Sequence, residues 1–189
     1  MRLYACFSKR LGRQLTVVSR EFAHRLSLIL TPRSALVAVK PGAVAFHFIF
    51  LLQEIDKIMK RVITFGTFDV FHVGHINILE RAASHGDYLI VGISSDELNF
   101  SKKNRFPIYS QEDRIKIISS MKFVDEVFVE ESLEMKLDYI KMYNANVLVM
   151  GDDWSGKFDW VKPACEVIYL PRTPSISTTE IIEVVKMTR

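Results

Sequence analysis

Cysteine is scarce: Cys6 and Cys165 are the two in 189 residues. Two thiols cannot build the framework of a disulfide scaffold, and a reducing, cytoplasmic setting is the expectation. Glycine and proline are also sparse, at 8 and 6, and no segment is repeated or of low complexity. This excludes collagen-like and disordered readings. Long hydrophobic runs are missing too. The most apolar stretch, residues 42–52 (GAVAFHFIFLL), contains His47 and reaches about half of the roughly 20 residues needed to cross a bilayer, so no stable membrane insertion is expected. A GxGxxG turn, the mark of an NAD-type first βα unit, is absent.

What is present divides in two. Residues 1–58 hold 9 Lys and Arg against 3 acids, whereas residues 59–189 hold 16 against 19. The first part is read as a basic N-terminal extension, poorly ordered or outside the working protein, with Met59 as the functional start. The second part carries the domain. Its acidic balance argues against nucleic acid as a partner, because duplex binding needs a surface excess of Lys and Arg.

From Met59 onward, short β-branched runs alternate with helical spacings. Strands are predicted at residues 62–65, 88–93, 127–129, 147–150 and 167–170. Helices are predicted over 75–83, from Ser110, over 133–143 and over 177–186, with Lys102 in a loop after the second strand. The alternation implies an α/β domain, a Rossmann-like doubly wound five-stranded parallel sheet. Ligands of such sheets sit beyond the carboxyl ends of the strands. The chemistry is therefore expected at residues 66–75 and after Ile93, Met150 and Leu170.

At the first of these ends stands Gly66 to His75 (GTFDVFHVGH). A helix start favours an anion, and two imidazoles bracketing Gly74 can donate to phosphoryl oxygens as charge builds on them. The plain alternative for each histidine is a cap or core residue. No third Cys, His or carboxylate lies at zinc spacing, so a protein-only metal site is not expected. At the last end, Arg172 to Thr179 (RTPSISTT) places hydroxyls and a guanidinium beside unpaired helix N–H groups. Here the alternative makes Ser177 and Thr178 ordinary helix caps.

GTFDVFHVGH resembles the HxGH signature of the nucleotidylyltransferase superfamily, and RTPSISTT resembles the RTxxISTT segment of the cytidylyltransferases. With Gly151 to Asp159 (GDDWSGKFD) and Tyr169 to Arg172 (YLPR), residues 59–186 are similar to the bacterial glycerol-3-phosphate cytidylyltransferases in particular. The resemblance implies the nucleotidylyltransferase fold and a homodimer. It implies transfer of CMP from CTP to sn-glycerol 3-phosphate, with a CDP-glycerol product feeding teichoic acid, a capsule or another surface polymer. Mg²⁺ is expected to ride on the CTP phosphates.

Carried over by the resemblance, the CTP contacts are Thr67, Phe68, His72, Gly74, His75, Arg105, Arg114, Asp153, Trp154, Arg172, Thr173, Ile176, Ser177, Thr178 and Thr179. Lys102 falls to the reacting phosphates and the acceptor, and Lys136 to the glycerol phosphate. His72, His75, Lys102 and Arg172 would be catalytic. There are departures from the pattern. The loop 101–107 is one residue longer, so its second lysine corresponds to Lys103 or Arg105; Ser175 stands where glycine is common; Val73 replaces tryptophan or serine. The competing readings are another phosphorylated acceptor (choline, ethanolamine or sugar phosphate), ATP as donor, and a nucleotide-binding module without turnover. Intact His72, Gly74, His75, Lys102 and Arg172 weigh against the last.

Overall fold

Parallel strands covered on both faces read as unbroken apolar runs, and each alternate residue then goes to a different layer of core. The computed structural model describes residues 58–174 and 176–188, so the basic extension expected before Met59, all but Ile58, and the substitution at Ser175 lie outside the described residues. Five strands, β1 (Arg61–Gly66), β2 (Tyr88–Ser94), β3 (Glu126–Glu130), β4 (Val147–Gly151) and β5 (Glu166–Leu170), form one sheet. They alternate with helices α1 (Val73–Ala83), α2 (Asp96–Lys103), α3 (Gln111–Ser119), α4 (Lys136–Met142) and α5 (Thr178–Met187).

All strand pairs are parallel, in the order β3-β2-β1-β4-β5. In the central strand, Ile63 pairs with Ile90 on one side and Leu148 on the other. The winding reverses between β1 and β4, which opens a crevice at their carboxyl ends. Val62, Val91 and Val149 point into one core layer with Leu79 and Ala82 of α1 and Ile118 of α3. Ile63, Ile90 and Leu148 point into the other, with Tyr139 and Ile140 of α4. Each of these Val, Leu and Ile side chains, fully buried, contributes about 1.5–3 kcal/mol of transfer free energy. In this second layer, Gly92 leaves room for Phe65 and Phe128 to meet edge to face at 5.8 Å; a Cβ there would stand 2.5 Å from the Phe65 ring.

Two expectations are corrected. Ser101, Lys102 and Lys103 are not loop but the last turn of α2. The helix is polar, so it shows no apolar period, and its ends hold it instead. Ser95 Oγ accepts from Leu98 N at 3.0 Å, Asp96 and Glu97 open it, Lys102 and Lys103 close it, and Asn104 ends it at φ 51°. The helix expected from Leu133 begins at Lys136, because Ser132 and Glu134 turn back on each other first. Among the described residues no helix is long and apolar enough to cross a membrane.

Candidate active site

The turn after β1 is backbone-strained. Phe68 and Val70 take positive φ values of 54° and 44°. For a β-branched residue this region is costly, on the order of 1–3 kcal/mol. Asp69 between them holds the turn. Its carboxylate accepts from Val70 N at 3.0 Å and from Ile108 N and Tyr109 N at 2.9 Å, and its carbonyl accepts from Thr178 Oγ1 at 3.0 Å. One residue thus ties the turn to the segment before α3 and to the start of α5. Asp69 sat inside the HxGH segment without a role assigned to it.

His72 is the N-cap of α1, as the plain alternative had it, and its Nδ1 accepts from Gly74 N at 3.1 Å. His72 N donates in turn to His75 Nδ1 at 3.4 Å. Each Nδ1 is therefore an acceptor, and the proton of each neutral ring sits on Nε2. The rings stack with centroids 3.9 Å apart, and His75 also stacks on Phe71 and meets the edge of Phe68. Gly74 makes this possible, since a Cβ there would lie 2.8 Å from the His72 ring. Burial pushes both pKa values down; for His75, burial and then the neighbouring His72 lower it to about 4, with Asp69 opposing. His75 is thus a neutral donor at pH 7, not an imidazolium.

Around the pair opens a cleft of about 920 Å³. Of the candidate CTP-binding, substrate-binding and catalytic residues named from the sequence, all line it except Arg114, and Lys103 lines it as well as Arg105. On the β4–β5 side, Arg172 is paired with Asp153 at 2.9 Å, both exposed. Ser177 is the N-cap of α5, accepting from Glu180 N at 3.2 Å, and Thr173 Oγ1 accepts from Asn77 at 3.3 Å. The hydroxyls of Ser177 and Thr178 are thus already used by the fold, and the cap reading holds for Ser177 alongside its place in the cleft.

On the β2–β3 side lie the lysines. Lys136 is fully buried, bonded to Glu130, with its ammonium 3.4 Å from the centroid of Phe65. Burial lowers its pKa to about 8, Glu130 opposing. Lys102 is exposed as a residue, but partial burial of its ammonium lowers its pKa too, again with Glu130 opposing. Asn99 accepts from Thr67 Oγ1 at 2.6 Å and donates to the carbonyls of Ser94 and Ser95. Neither Glu130 nor Asn99 was foreseen. Glu130 ends the edge strand β3, the one strand end left out when chemistry was assigned to strand ends.

Residues 63–184 match the cytidylyltransferase-like family. The chain belongs to that family. It is 54% identical over 125 residues to the glycerol-3-phosphate cytidylyltransferase of Bacillus subtilis strain 168, covering 66% of this chain and 96% of that protein. With the Staphylococcus aureus glycerol-3-phosphate cytidylyltransferase it shares 49% over 123 residues, 65% of this chain and 92% of that protein. A solved lipopolysaccharide core biosynthesis protein from Thermoplasma volcanium shares the fold, with TM-score 0.53 and 23% identity over 61% of this chain and 98% of that one.

In this cytidylyltransferase-like domain Arg114, expected among the CTP contacts, is not among the residues that line the cleft. It has no exposed surface. Its guanidinium donates to the carbonyls of Tyr109, Thr67 and Ser94 at 3.1, 2.8 and 2.8 Å and to Asp96 at 2.5 Å. Every branch of the fork is spent on the fold. Arg114→Met is expected to cost about 3 kcal/mol or more, because it strands buried carbonyls and one partner of an ion pair. Urea denaturation checks this; wild-type stability with selectively weakened CTP binding would return Arg114 to the ligand.

The depressed His75 pKa also makes stability fall in acid. The folded ring titrates near 4 and the unfolded one near 6.5, so as pH drops through this window the unfolded chain takes up the proton first. The loss is expected to reach about 3 kcal/mol. Denaturation midpoints across the window should decline less for His75→Gln than for the wild type, and parallel declines would acquit His75.

Proposed function

We propose that the chain transfers the cytidylyl group of CTP to sn-glycerol 3-phosphate, giving CDP-glycerol and pyrophosphate. The observation that carries this reading is the composition of one cleft at the switch point of the sheet. Two neutral imidazole donors lie at the carboxyl end of β1, and Lys102 and Lys136 beyond β2 and β3. The 54% identity to the Bacillus subtilis glycerol-3-phosphate cytidylyltransferase supports glycerol phosphate as the acceptor.

The acceptor is a phosphate monoester whose second ionisation lies near pH 6, so it needs no strong base. One of its oxygens forms a bond to the α-phosphorus while the bond from that phosphorus to the bridging oxygen breaks, and the electron pair leaves with pyrophosphate. Catalysis reduces to alignment and charge stabilisation. Nε2–H of His72 and His75 would donate to the α-phosphoryl oxygens. Lys102 would stand between the two anionic phosphates, and Arg172 with the first turn of α5 would hold the departing β and γ groups.

Mg²⁺ belongs to this reading as part of the substrate. Among the described residues no cluster of His, Cys, Asp and Glu could hold a metal ion. The nearby carboxylates are engaged, Asp69 by three backbone N–H groups and Asp153 by Arg172. Phosphate oxygens and water are what Mg²⁺ prefers, so it would enter on CTP.

Pyrophosphate release with each donor and acceptor pair tests the reading. Release is expected with CTP and glycerol 3-phosphate, and not with ATP or with choline, ethanolamine or sugar phosphates. Release with ATP but not CTP, or CTP binding without release under any acceptor, would overturn it. His75→Ala should lower kcat about a hundredfold or more with little change in CTP affinity, as losing a transition-state donor does.

A further inference from the structure

At the acceptor end of the cleft lies a carboxylate that the reaction does not use. Glu130, the last residue of β3, is 1% exposed; it accepts from Ser94 Oγ at 2.8 Å and from the Lys136 ammonium. A buried anion is a poor neighbour for a phosphate dianion, since like charges repel strongly where water is excluded. Its value must lie in what it does to the cations around it.

Lys136 is the group it acts on. From β1 it meets the ring of Phe65, and from the segment after β4 the ring of Phe158, 5.4 Å away. Among the described residues the charged groups that act on it are Glu130 from β3 and Lys102 from the end of α2. Burial disfavours the ammonium most, and Lys102 adds to this; Glu130 alone opposes, through both its charge and its hydrogen bond. Burying an ion pair costs several kcal/mol per ion before the attraction returns it, so packing alone would be served as well by an apolar pair.

We propose that Glu130 is a positioning residue for the acceptor: it holds Lys136 as a charged ammonium on the floor of the subsite, where a neutral amine would offer a phosphate dianion nothing. This rests on Lys136 facing the acceptor, as the proposed function has it. A pKa held near 8 leaves Lys136 close to the working range, so withdrawal of the Glu130 charge moves the balance toward the amine.

Glu130→Gln tests this, since the amide oxygen still accepts from Lys136 but the charge is gone. At about pH 7.5, kcat/KM for glycerol 3-phosphate is expected to fall about threefold, chiefly through KM, with KM for CTP within about twofold. The alkaline fall of acceptor kcat/KM should begin about one pH unit lower than in the wild type, so that the two proteins converge near pH 6. Glu130→Asp should recover part of that limb and, should the Gln variant not fold, carries the same readouts with a smaller displacement. Lys136→Met and the double variant Lys136→Met/Glu130→Gln should have equal acceptor kcat/KM. A loss equal at every pH, an equal rise in KM for CTP, or a further loss in the double variant would overturn the proposal.

A readout independent of the acceptor is the titration of Lys136 itself, followed by NMR of ¹³Cε-labelled lysine in the full chain without substrate. It should move down by about one unit or more in Glu130→Gln. An unmoved titration overturns the role of Glu130 whatever the acceptor is; a moved titration without turnover of glycerol 3-phosphate overturns the acceptor assignment instead.

Discussion

The guanidinium of Arg114 is the fixture from which the cleft is built. Two of its acceptors, the carbonyls of Thr67 and Ser94, stand at the carboxyl ends of the neighbouring strands β1 and β2, and a third, Tyr109, belongs to the segment that leads into α3. A planar fork of five donors can satisfy several buried carbonyls at once, which no other side chain does. Its charge is met by Asp96 in the first turn of α2. Asp69 works toward the same place from the opposite side, gripping the backbone N–H of Tyr109 while Arg114 holds its carbonyl. Two charged side chains inside the domain thus serve as backbone scaffolding, and the strained turn at Phe68 and Val70 persists because both ends of it are overdetermined.

With the backbone fixed, burial decides which groups are charged. His72 and His75 give their Nδ1 acceptors to backbone N–H groups, and burial lowers the affinity of both for a second proton, for His75 among the rings of Phe68 and Phe71. A neutral imidazole suits a transition state better than a cation does in one respect. It adds little attraction for a triphosphate that is merely bound, while its N–H dipole gains as charge builds on the α-phosphoryl oxygens. Binding energy is then spent where it lowers the barrier instead of deepening the ground state.

How much of this was legible in the sequence depended on the kind of signal. Strands with both faces buried declared themselves as apolar runs, and the turn and helix-start motifs at Gly66–His75 and Arg172–Thr179 marked the cleft. α2 was invisible because its sequence, DELNFSKK, has no apolar stripe; Ser95 as a cap and the acids and lysines at opposite ends were the signals that could have shown it. Arg114 was placed among the CTP contacts by the resemblance alone, which does not reveal that its donors serve the carbonyl of nearby Tyr109 and those of Thr67 and Ser94, distant in sequence. Glu130 was overlooked although it directly follows a predicted strand, at the kind of position where the fold gathers its chemistry.

The two ends of the cleft hold ion pairs of opposite character. Arg172 and Asp153 are joined in the open, and an exposed pair is worth about 0–1 kcal/mol, so an arriving triphosphate can take Arg172 from Asp153 at almost no cost. Lys136 and Glu130 are joined where water does not reach, and separating such a pair costs about 3–5 kcal/mol. Under the proposed function the nucleotide end would reorganise on binding, whereas the floor at the other end would be rigid beforehand. For an in-line displacement that division is favourable. The triphosphate would be met by side chains that adapt to it and the attacking oxygen by a charge that does not move, which would leave less orientation to be found at the moment of reaction.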